Sequence, residues 1–405
     1  FMQIFKAKSV SDLRLPTPKA FSRTLPKPKT MQSHFSLPPL MSSTHIMTSR
    51  SESNLSSMTP RGLPVRKLSP ICLTPTQMSI PKLHNSVIAT GSNGVIKSYA
   101  ANSHIGHVRQ ANEDRVTIHY RVPKPEHKQC TNWPLISFFG IFDGHGGSMC
   151  AEYLRDNLLE LILKQPNFPD KPIEAIKAGF AEAESKFLAL AEISFGNYDR
   201  SGSCANVVMI IKDMCYVANV GDSRAVLSCE RGMRLFELSQ DHKPNLPAER
   251  ERVEKHGGKV YANEALPFTS ISSGGNLTIY RVLPGRLAIS RTFGDADAKL
   301  ERLGGIPGVV SAEPDVKSFR ISKKYDFIFI ASDGVYDKMS NSDVVRSVWS
   351  AFDASPLTFH GACGESVKKV LEESLNRRSL DNVTGVLIAF SSMREAYEEA
   401  AKPTQ

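Results

Sequence analysis

The stretch "FFGIFDGHGGSMC" places a carboxylate and a histidine among three glycines at the end of an apolar run. The run Leu135–Phe142 predicts a buried strand, and it stops at Asp143, which is followed by Gly144 and His145. An ordinary turn needs only one glycine or an Asp-Gly pair. Three glycines around a histidine therefore indicate that the backbone must come close to another group.

Acidic side chains stand at the ends of other predicted strands as well. Antiparallel strands that start and finish in turn can share one edge of a sheet, so we expect these acids to collect there. The acids next to predicted strand ends are Glu113, Asp114, Asp143, Asp222, Asp333 and Asp381.

Carboxylates that lie close together repel one another unless cations lie between them. A ligand set made of oxygen atoms, without cysteine or clustered histidine, favours the hard cations Mg²⁺ or Mn²⁺ over Zn²⁺. Each acid taken alone is more often a turn or cap residue, because Asp-Gly is a common turn. The prediction of a metal site therefore rests on the joint pattern of positions.

The elements that must position these acids can be predicted from the hydrophobic pattern. Short connections at Lys212-Asp213 and Glu230–Gly232 indicate antiparallel hairpins. Many strands in hairpins, together with grouped helices, indicate an α+β fold in which helices cover sheets. The predicted strands are Arg115–Val122, Leu135–Phe142, Cys204–Ile211, Met214–Val220, Ala225–Cys229, Arg234–Leu238, Asp326–Ala331 and Val383–Phe390. The predicted helices are Gly147–Lys164, Pro172–Glu192, Pro247–His256, Ser342–Phe352 and Gly364–Arg377.

Charge is distributed unevenly along the 405 residues. Residues 1–90 carry twelve Lys or Arg against two acids, a charge of +10, while the whole chain carries +9. This segment also holds eleven of the 25 prolines and no lasting hydrophobic period, which favours disorder. We therefore divide the chain into a disordered basic Pro/Ser-rich tail (1–93), a folded domain (94–393) and a short C-terminal tail (394–405).

The tail offers candidate docking motifs. "LPTPK" at Leu15–Lys19 recurs as "LPKPK" at Leu25–Lys29, and both favour polyproline II conformation, which suits a docking peptide. The simpler interpretation, a solvated basic linker, remains open. The tail's phenylalanines show no stacking pattern, so we do not expect nucleic-acid binding.

Cysteine usage and hydropathy bear on the compartment. The seven cysteines are scattered and form no Cys-x-x-Cys pair, which argues for a reducing compartment and against a disulfide framework. No apolar run approaches the roughly 20 residues of a membrane helix. We expect a soluble, monomeric protein of the cytoplasm or nucleus, without a membrane span.

An ordered set of motifs resembles the metal-dependent Ser/Thr protein phosphatases of type 2C. The motifs are "RQANEDR", "FDGHGG", "VGDSRA", "QDHKP", "LAISRTFGD", "ASDGVYDKMS" and "SLDNVTGVLI", between about Ser98 and Phe390. The resemblance implies a four-layer α-β-β-α sandwich of two antiparallel sheets flanked by helices. It also implies hydrolysis of phosphoserine and phosphothreonine in proteins by a water that two metals activate, with no phospho-enzyme intermediate.

The resemblance further implies a role for each site residue. Asp143 would bridge two Mg²⁺ or Mn²⁺ ions, and the Gly144 carbonyl would bind the second ion. Asp333 and Asp381 would complete the first metal, and Glu113 would reach the second through water, with Asp114 supporting the site. Asp222 matches a weaker third-metal position, with Asp337 as a second contributor to it. His145 fits the general acid for the leaving alkoxide, and Arg109 falls where the family's phosphate-binding arginine lies.

Rival enzyme classes fit the sequence poorly. A cysteine-based phosphatase needs Cys followed by five residues and Arg, and none of the seven cysteines has Arg six positions on. The other two-metal phosphatase class wants Gly-Asp with Asp-Arg-Gly, which "GDSRA" and "GDADA" do not match. A binding module that keeps the fold without activity is the remaining alternative, and the intact acids argue against it.

Two positions depart from the type 2C pattern. Cys204 stands where threonine is usual, and Gly385 stands where a branched aliphatic residue is common. Both are at or near strands, so we expect them to affect packing more than chemistry. The stretch Asp241–Arg291 corresponds to the family's variable flap beside the site, and we expect it to influence substrate choice.

Overall fold

The computed structural model describes residues 83–192, 199–264, 278–355 and 357–402. The predicted disordered tail falls mainly outside these residues, so it stays a prediction. Among the described residues, no helix is both long enough and apolar enough to cross a membrane. The elements are numbered below in chain order.

Two antiparallel sheets form the centre of the structure. The six-stranded sheet contains, in spatial order, β1 (Val87–Ile88), β2 (Ser98–His104), β16 (Val383–Ala389), β15 (Tyr325–Ala331), β9 (Arg224–Cys229) and β10 (Arg234–Glu237). The five-stranded sheet contains β14 (Asp315–Arg320), β8 (Met214–Val220), β7 (Ala205–Ile211), β4 (Ile136–Phe142) and β3 (Arg115–His119).

Two smaller groups of strands and the helices complete the fold. A small sheet is formed by β13 (Phe293–Gly294), β6 (Gly202–Ser203) and β5 (Gly144–His145), and a hairpin by β11 (Lys259–Glu264) and β12 (Thr278–Leu283). The helices are α1 (Met149–Lys164), α2 (Pro172–Glu192), α3 (Pro247–Lys255), α4 (Ala296–Lys299), α5 (Asp333–Tyr336), α6 (Asn341–Ala354), α7 (Phe359–Asn376) and α8 (Ser391–Ala400).

The side chains of the central strands alternate between the two faces of each sheet, and this alternation explains the layers of helices and sheets. In β4, Phe138 and Phe142 pack with α1 and α2, while Phe139 and Ile141 face the core between the sheets. Ile328 and Ile330 of β15 meet them in that core. The other face of the six-stranded sheet packs against α6, α7 and α8. Side chains of successive strand residues point to opposite faces of the sheet. A strand that is buried on both faces therefore consists of consecutive apolar residues. The predicted four-layer α+β sandwich is confirmed.

The predicted hairpins β7–β8 and β9–β10 are present in antiparallel register. Several elements differ from the prediction. Helix α7 begins at Phe359 after the cap Thr358, not at Gly364. Gly364 lies inside the helix, where an added Cβ would stand 2.9 Å from the Ile88 side chain. The glycine therefore leaves room for β1 to pack against the helix and does not mark a helix end.

The ordered fold extends beyond both predicted domain boundaries. Strand β1, before residue 94, pairs with β2, and α8 continues past residue 393 to Ala400 with Ala396 buried. Backbone pairing therefore holds the first segment to the six-stranded sheet, and apolar packing of Ala396 holds the second. The unusual Gly385 is also explained, because a Cβ there would lie 3.0 Å from the Phe329 ring, which fills the space.

Candidate active site

Strand ends from both large sheets meet at one end of the sandwich. Asp143 directly follows β4 and Asp222 follows β8 in the five-stranded sheet, whereas Asp333 begins α5 after β15 of the six-stranded sheet. One carboxylate oxygen from each of the three lies within 4.8 Å of the others. Three acids that span 190 residues of the sequence thus form one cluster.

The electrostatics of this cluster suit a bound cation. The backbone N–H of Asp333 donates to Asp143 Oδ2 at 3.3 Å. Burial, followed by the charges of the neighbouring acids, raises the pKa of both Asp143 and Asp333 well above the ordinary range. Oxygen donors that repel one another in this way are stabilised by a hard divalent cation between them. The residues present therefore fit Mg²⁺ or Mn²⁺.

Asp222 differs from its two neighbours because it has donors on both oxygens. The Lys243 ammonium contacts Asp222 Oδ2, and the Cys204 thiol donates to Oδ1 at 3.2 Å. Burial opposes the charged form of Asp222, but Lys243 and these hydrogen bonds outweigh it and lower the pKa. Cys204, which we expected to matter for packing, therefore also contacts the acidic cluster.

The glycines of the FDGHGG loop are required by close backbone approach. A Cβ on Gly144 would stand 2.5 Å from the Glu113 carbonyl oxygen. Gly146 has φ +67°, a conformation that side chains with a Cβ rarely adopt. The loop thus passes tightly over the segment before β3 while it directs Asp143 and His145 toward the cleft.

His145 is held by an acid that the sequence analysis did not single out. Its Nε2 lies 2.9 Å from Asp295 Oδ2. Burial alone would lower the pKa of His145, but the charge and hydrogen bond of Asp295 outweigh it and raise the pKa. Asp295 is the last residue of the "LAISRTFGD" motif, which was the available signal. A half-buried imidazole beside the acids, with its pKa raised by Asp295, is suited to donate a proton.

The remaining predicted residues surround the cluster in different ways. Arg109, which is exposed, forms an ion pair of 2.5 Å with Asp381. Asp114 is buried and accepts hydrogen bonds from Ser332 and Thr384, and burial raises its pKa to about 6. Glu113 lies beside them, with its backbone N–H held by the Asn382 side chain at 2.8 Å.

A cleft of about 300 Å³ opens onto the acids. Its lining contains the residues of the acidic site and a stretch of the flap: Arg109, Asp143, Gly144, His145, Cys204, Asp222, Asp333 and Asp381, with Arg281, Arg286, Leu287, Ala288 and Ile289 from the flap. Flap residues 265–277 lie outside the described residues. The cleft can admit a phosphoryl group next to the cluster.

Comparison with known proteins points to one family. The family model described as "Protein phosphatase 2C" matches residues 103–383. "Probable protein phosphatase 2C 27" of Oryza sativa subsp. japonica is 35% identical over 257 residues, covering 63% of this chain and 65% of the relative. "Probable protein phosphatase 2C 71" of Arabidopsis thaliana is 34% identical over 272 residues, covering 67% of this chain and 52% of the relative. The match thus spans between half and two thirds of these two relatives.

Solved structures share the fold. The structure described as "a C.elegans sex determining protein" gives a TM-score of 0.60 at 20% identity, covering 79% of this chain and 68% of that chain. A phosphatase from a pathogenic strain of Toxoplasma gondii gives 0.57 at 23% identity, covering 76% and 96%. At these identities the likeness concerns the fold alone.

Proposed function

Because the chain belongs to the protein phosphatase 2C family, we propose that it hydrolyses phosphoserine and phosphothreonine in proteins with metal-activated water. The proposal includes two Mg²⁺ or Mn²⁺ ions and no phospho-enzyme intermediate. The observation that carries it is the cluster of Asp143, Asp222 and Asp333, whose oxygens lie within 4.8 Å of one another at the floor of a cleft.

The residues that would hold the ions are the cluster and its surroundings. Two bound divalent cations would activate a water and neutralise charge on the phosphoryl oxygens. Asp143, the Gly144 carbonyl, Asp333, Asp381 and Glu113 are the proposed ligands, with Asp114 as support and Asp222 as a weaker third position. Burial and the neighbouring acids raise the pKa of both Asp143 and Asp333, which supports a cation beside these two carboxylates.

The chain's own side chains would supply the other functions. His145, oriented by Asp295, would protonate the Ser or Thr oxygen as the phosphorus–oxygen bond breaks. Arg109 has guanidinium N–H groups beyond the one that contacts Asp381, and these can bind two phosphoryl oxygens. Leu287 and Ile289 would limit access of bulk water from the flap side.

Turnover of a phosphothreonine peptide, measured by phosphate release, tests the proposal. We expect activity with Mn²⁺ or Mg²⁺, loss of activity in excess EDTA, and recovery when the metal is restored. Inhibitors of the other Ser/Thr phosphatase class should have no effect. Full activity in excess EDTA would contradict the metal-dependent mechanism. The Asp143→Ala variant is the matched control for contaminating phosphatases.

We also infer a cellular role for residues 1–90 from their charge of +10. This segment would dock a monomeric enzyme on an acidic partner in the cytoplasm or nucleus, and phosphorylation at Thr17, Thr59, Ser69 or Thr74 would weaken docking. The six described cysteines are free, as a reducing compartment allows. Deletion of residues 1–82, which carry the same +10 charge and leave Leu83 and β1 in place, should change the location of a fluorescent fusion without changing turnover of p-nitrophenyl phosphate. An unchanged location would refute docking.

A further inference from the structure

The flap side of the cleft carries two arginines that the chemistry above does not use. Arg281 lies near the end of β12, and Arg286 lies in the turn that follows. Both line the same cleft as the acidic cluster. Their position suggests a role toward a ligand already bound at the cluster.

The turn that presents them is firmly anchored. The backbone N–H of Val282 donates to the Leu287 carbonyl at 2.9 Å, closing the turn at its base. The Arg281 guanidinium donates to the Arg286 carbonyl at 2.7 Å. A Cβ on Gly285 would stand 2.6 Å from the Ala298 Cβ, so the turn packs directly on α4. Arg286 therefore projects from a fixed base.

The charges of these two arginines are available to a ligand. Within the described ranges, Arg109 pairs with Asp381, and Lys243 pairs with Asp222, but neither Arg281 nor Arg286 has a carboxylate partner. Arg286 is exposed, and its side chain donates to no described protein group. A guanidinium without a partner beside an anion-binding site is suited to a second carboxylate or phosphate.

We propose that Arg286, with Arg281 as a second donor and positioning residue, binds an anionic group next to the phosphorylated residue of the substrate. The preferred substrates would then be phosphopeptides with an acidic side chain or a second phosphate close to the scissile phosphate. This inference rests on the proposed phosphatase function. It extends that function by assigning the flap a defined selectivity for charge.

Three phosphothreonine peptides that differ only in the flanking residues test the proposal. The flanks are alanine, aspartate and phosphoserine, and kcat/KM is measured with full-length protein and Mn²⁺. We expect the wild type to prefer the anionic flanks by about tenfold, through KM, as for a hydrogen bond to a charged group. In Arg286→Gln the ratio of anionic to neutral peptide should fall toward one. The order of the aspartate and phosphoserine peptides identifies which anion the subsite favours.

The Arg320→Gln variant is the matched control. Arg320 is an exposed arginine at the far end of β14, where it is paired in register with Met214. Its replacement by glutamine removes one positive charge, as Arg286→Gln does, but away from the cleft. It should retain the preference. Arg286→Glu should instead favour a peptide with lysine flanks, and added salt should reduce every charge preference. A wild type without preference, or an unchanged ratio in Arg286→Gln, overturns the proposal.

Binding separates this inference from the proposed function. Fluorescence anisotropy of the same labelled peptides, with wild type and Arg286→Gln, measures the subsite without turnover. Weaker binding of only the anionic peptides by the variant supports the subsite even if no peptide is hydrolysed. Equal binding by both proteins refutes it, whatever the phosphatase assay shows.

Discussion

Replacing Asp143 with asparagine should stabilise the metal-free protein. Asp143 shares the floor of the cleft with Asp222 and Asp333, and no cationic side chain among the described residues pairs with it. Burial and like charges raise its pKa well above the ordinary range, which means that the folded state disfavours its charge. Asparagine has nearly the same shape and can still accept the hydrogen bond from the Asp333 N–H.

The size of the effect follows from the separation of the charges. Two unit charges 4.8 Å apart at an effective dielectric constant of about 20 repel by about 3 kcal/mol. Lys243 offsets the charge of Asp222, so the repulsion from Asp333 dominates. Part of it is already relieved by the raised pKa, and we expect Asp143→Asn to increase the free energy of unfolding in EDTA by about 1–3 kcal/mol.

Bound metal should make wild type more stable than Asp143→Asn, which reverses the order expected in EDTA. At a free Mn²⁺ concentration of about 100 times Kd, wild type should gain about 2.7 kcal/mol, whereas a variant without the Asp143 carboxylate should gain little. Urea unfolding in EDTA and in Mn²⁺ measures both effects. Asp343→Asn is the control, because Asp343 forms the capping box of α6 and its loss should destabilise the protein under both conditions. If Asp143→Asn is less stable than wild type in EDTA, charge repulsion does not govern this cluster.

Three further predictions concern other contacts. His145→Ala should slow hydrolysis of a phosphopeptide about 10²–10⁴-fold but that of p-nitrophenyl phosphate far less, because nitrophenolate needs no proton donor; equal losses would contradict the general-acid role. Burial raises the pKa of Glu249, but Arg291, Arg252 and Ser290 outweigh it and hold the pKa at about 2, below the ordinary 4.5. Glu249→Gln should therefore lower the free energy of unfolding by about 3 kcal/mol at neutral pH. In acid-unfolding experiments, this difference between wild type and variant should shrink as the pH falls from 4.5 toward 2; a difference that stays constant over this range would contradict the role of the Glu249 charge. Lys243→Gln should tighten Mn²⁺ binding about tenfold in calorimetry, because Asp222 loses its built-in counter-ion; unchanged affinity would mean that this pair does not compete with metal.

The elements with a strong local signal could be predicted from the sequence. Continuous apolar runs identify β4, β7 and β15, because these strands are buried on both faces. Strand β2, with the sequence "SYAANSH", lacks β-branched residues and is defined by its pairing with β16. Edge strand β14 is largely polar, and its only strand partner in the described sheet is β8. Tertiary pairing, rather than local propensity, specifies both.

The same distinction applies to the candidate site. The position of Asp143, Asp333 and Asp381 beside strands indicates a common edge, because antiparallel topology converts strand ends into neighbours. No local pattern indicates that Asp295 holds His145 or that Arg109 pairs with Asp381, since the partners lie 150 and 272 residues apart. The conformation of the flap turn at Arg286 likewise depends on packing against α4. Such contacts follow only from the folded arrangement.

The acids of the cluster come from both large sheets, and this has a consequence for how the protein can be tuned. Asp143 is attached to the five-stranded sheet through β4, and Asp333 is attached to the six-stranded sheet through β15. The spacing between their oxygens is therefore set by how Phe139 and Ile141 pack against Ile328 and Ile330 in the core between the sheets. A change of volume in that core, such as Ile330→Val, would shift one half of the ligand set relative to the other. We therefore expect the size of the divalent cation that the cluster prefers to depend partly on the hydrophobic core, at residues outside the cluster.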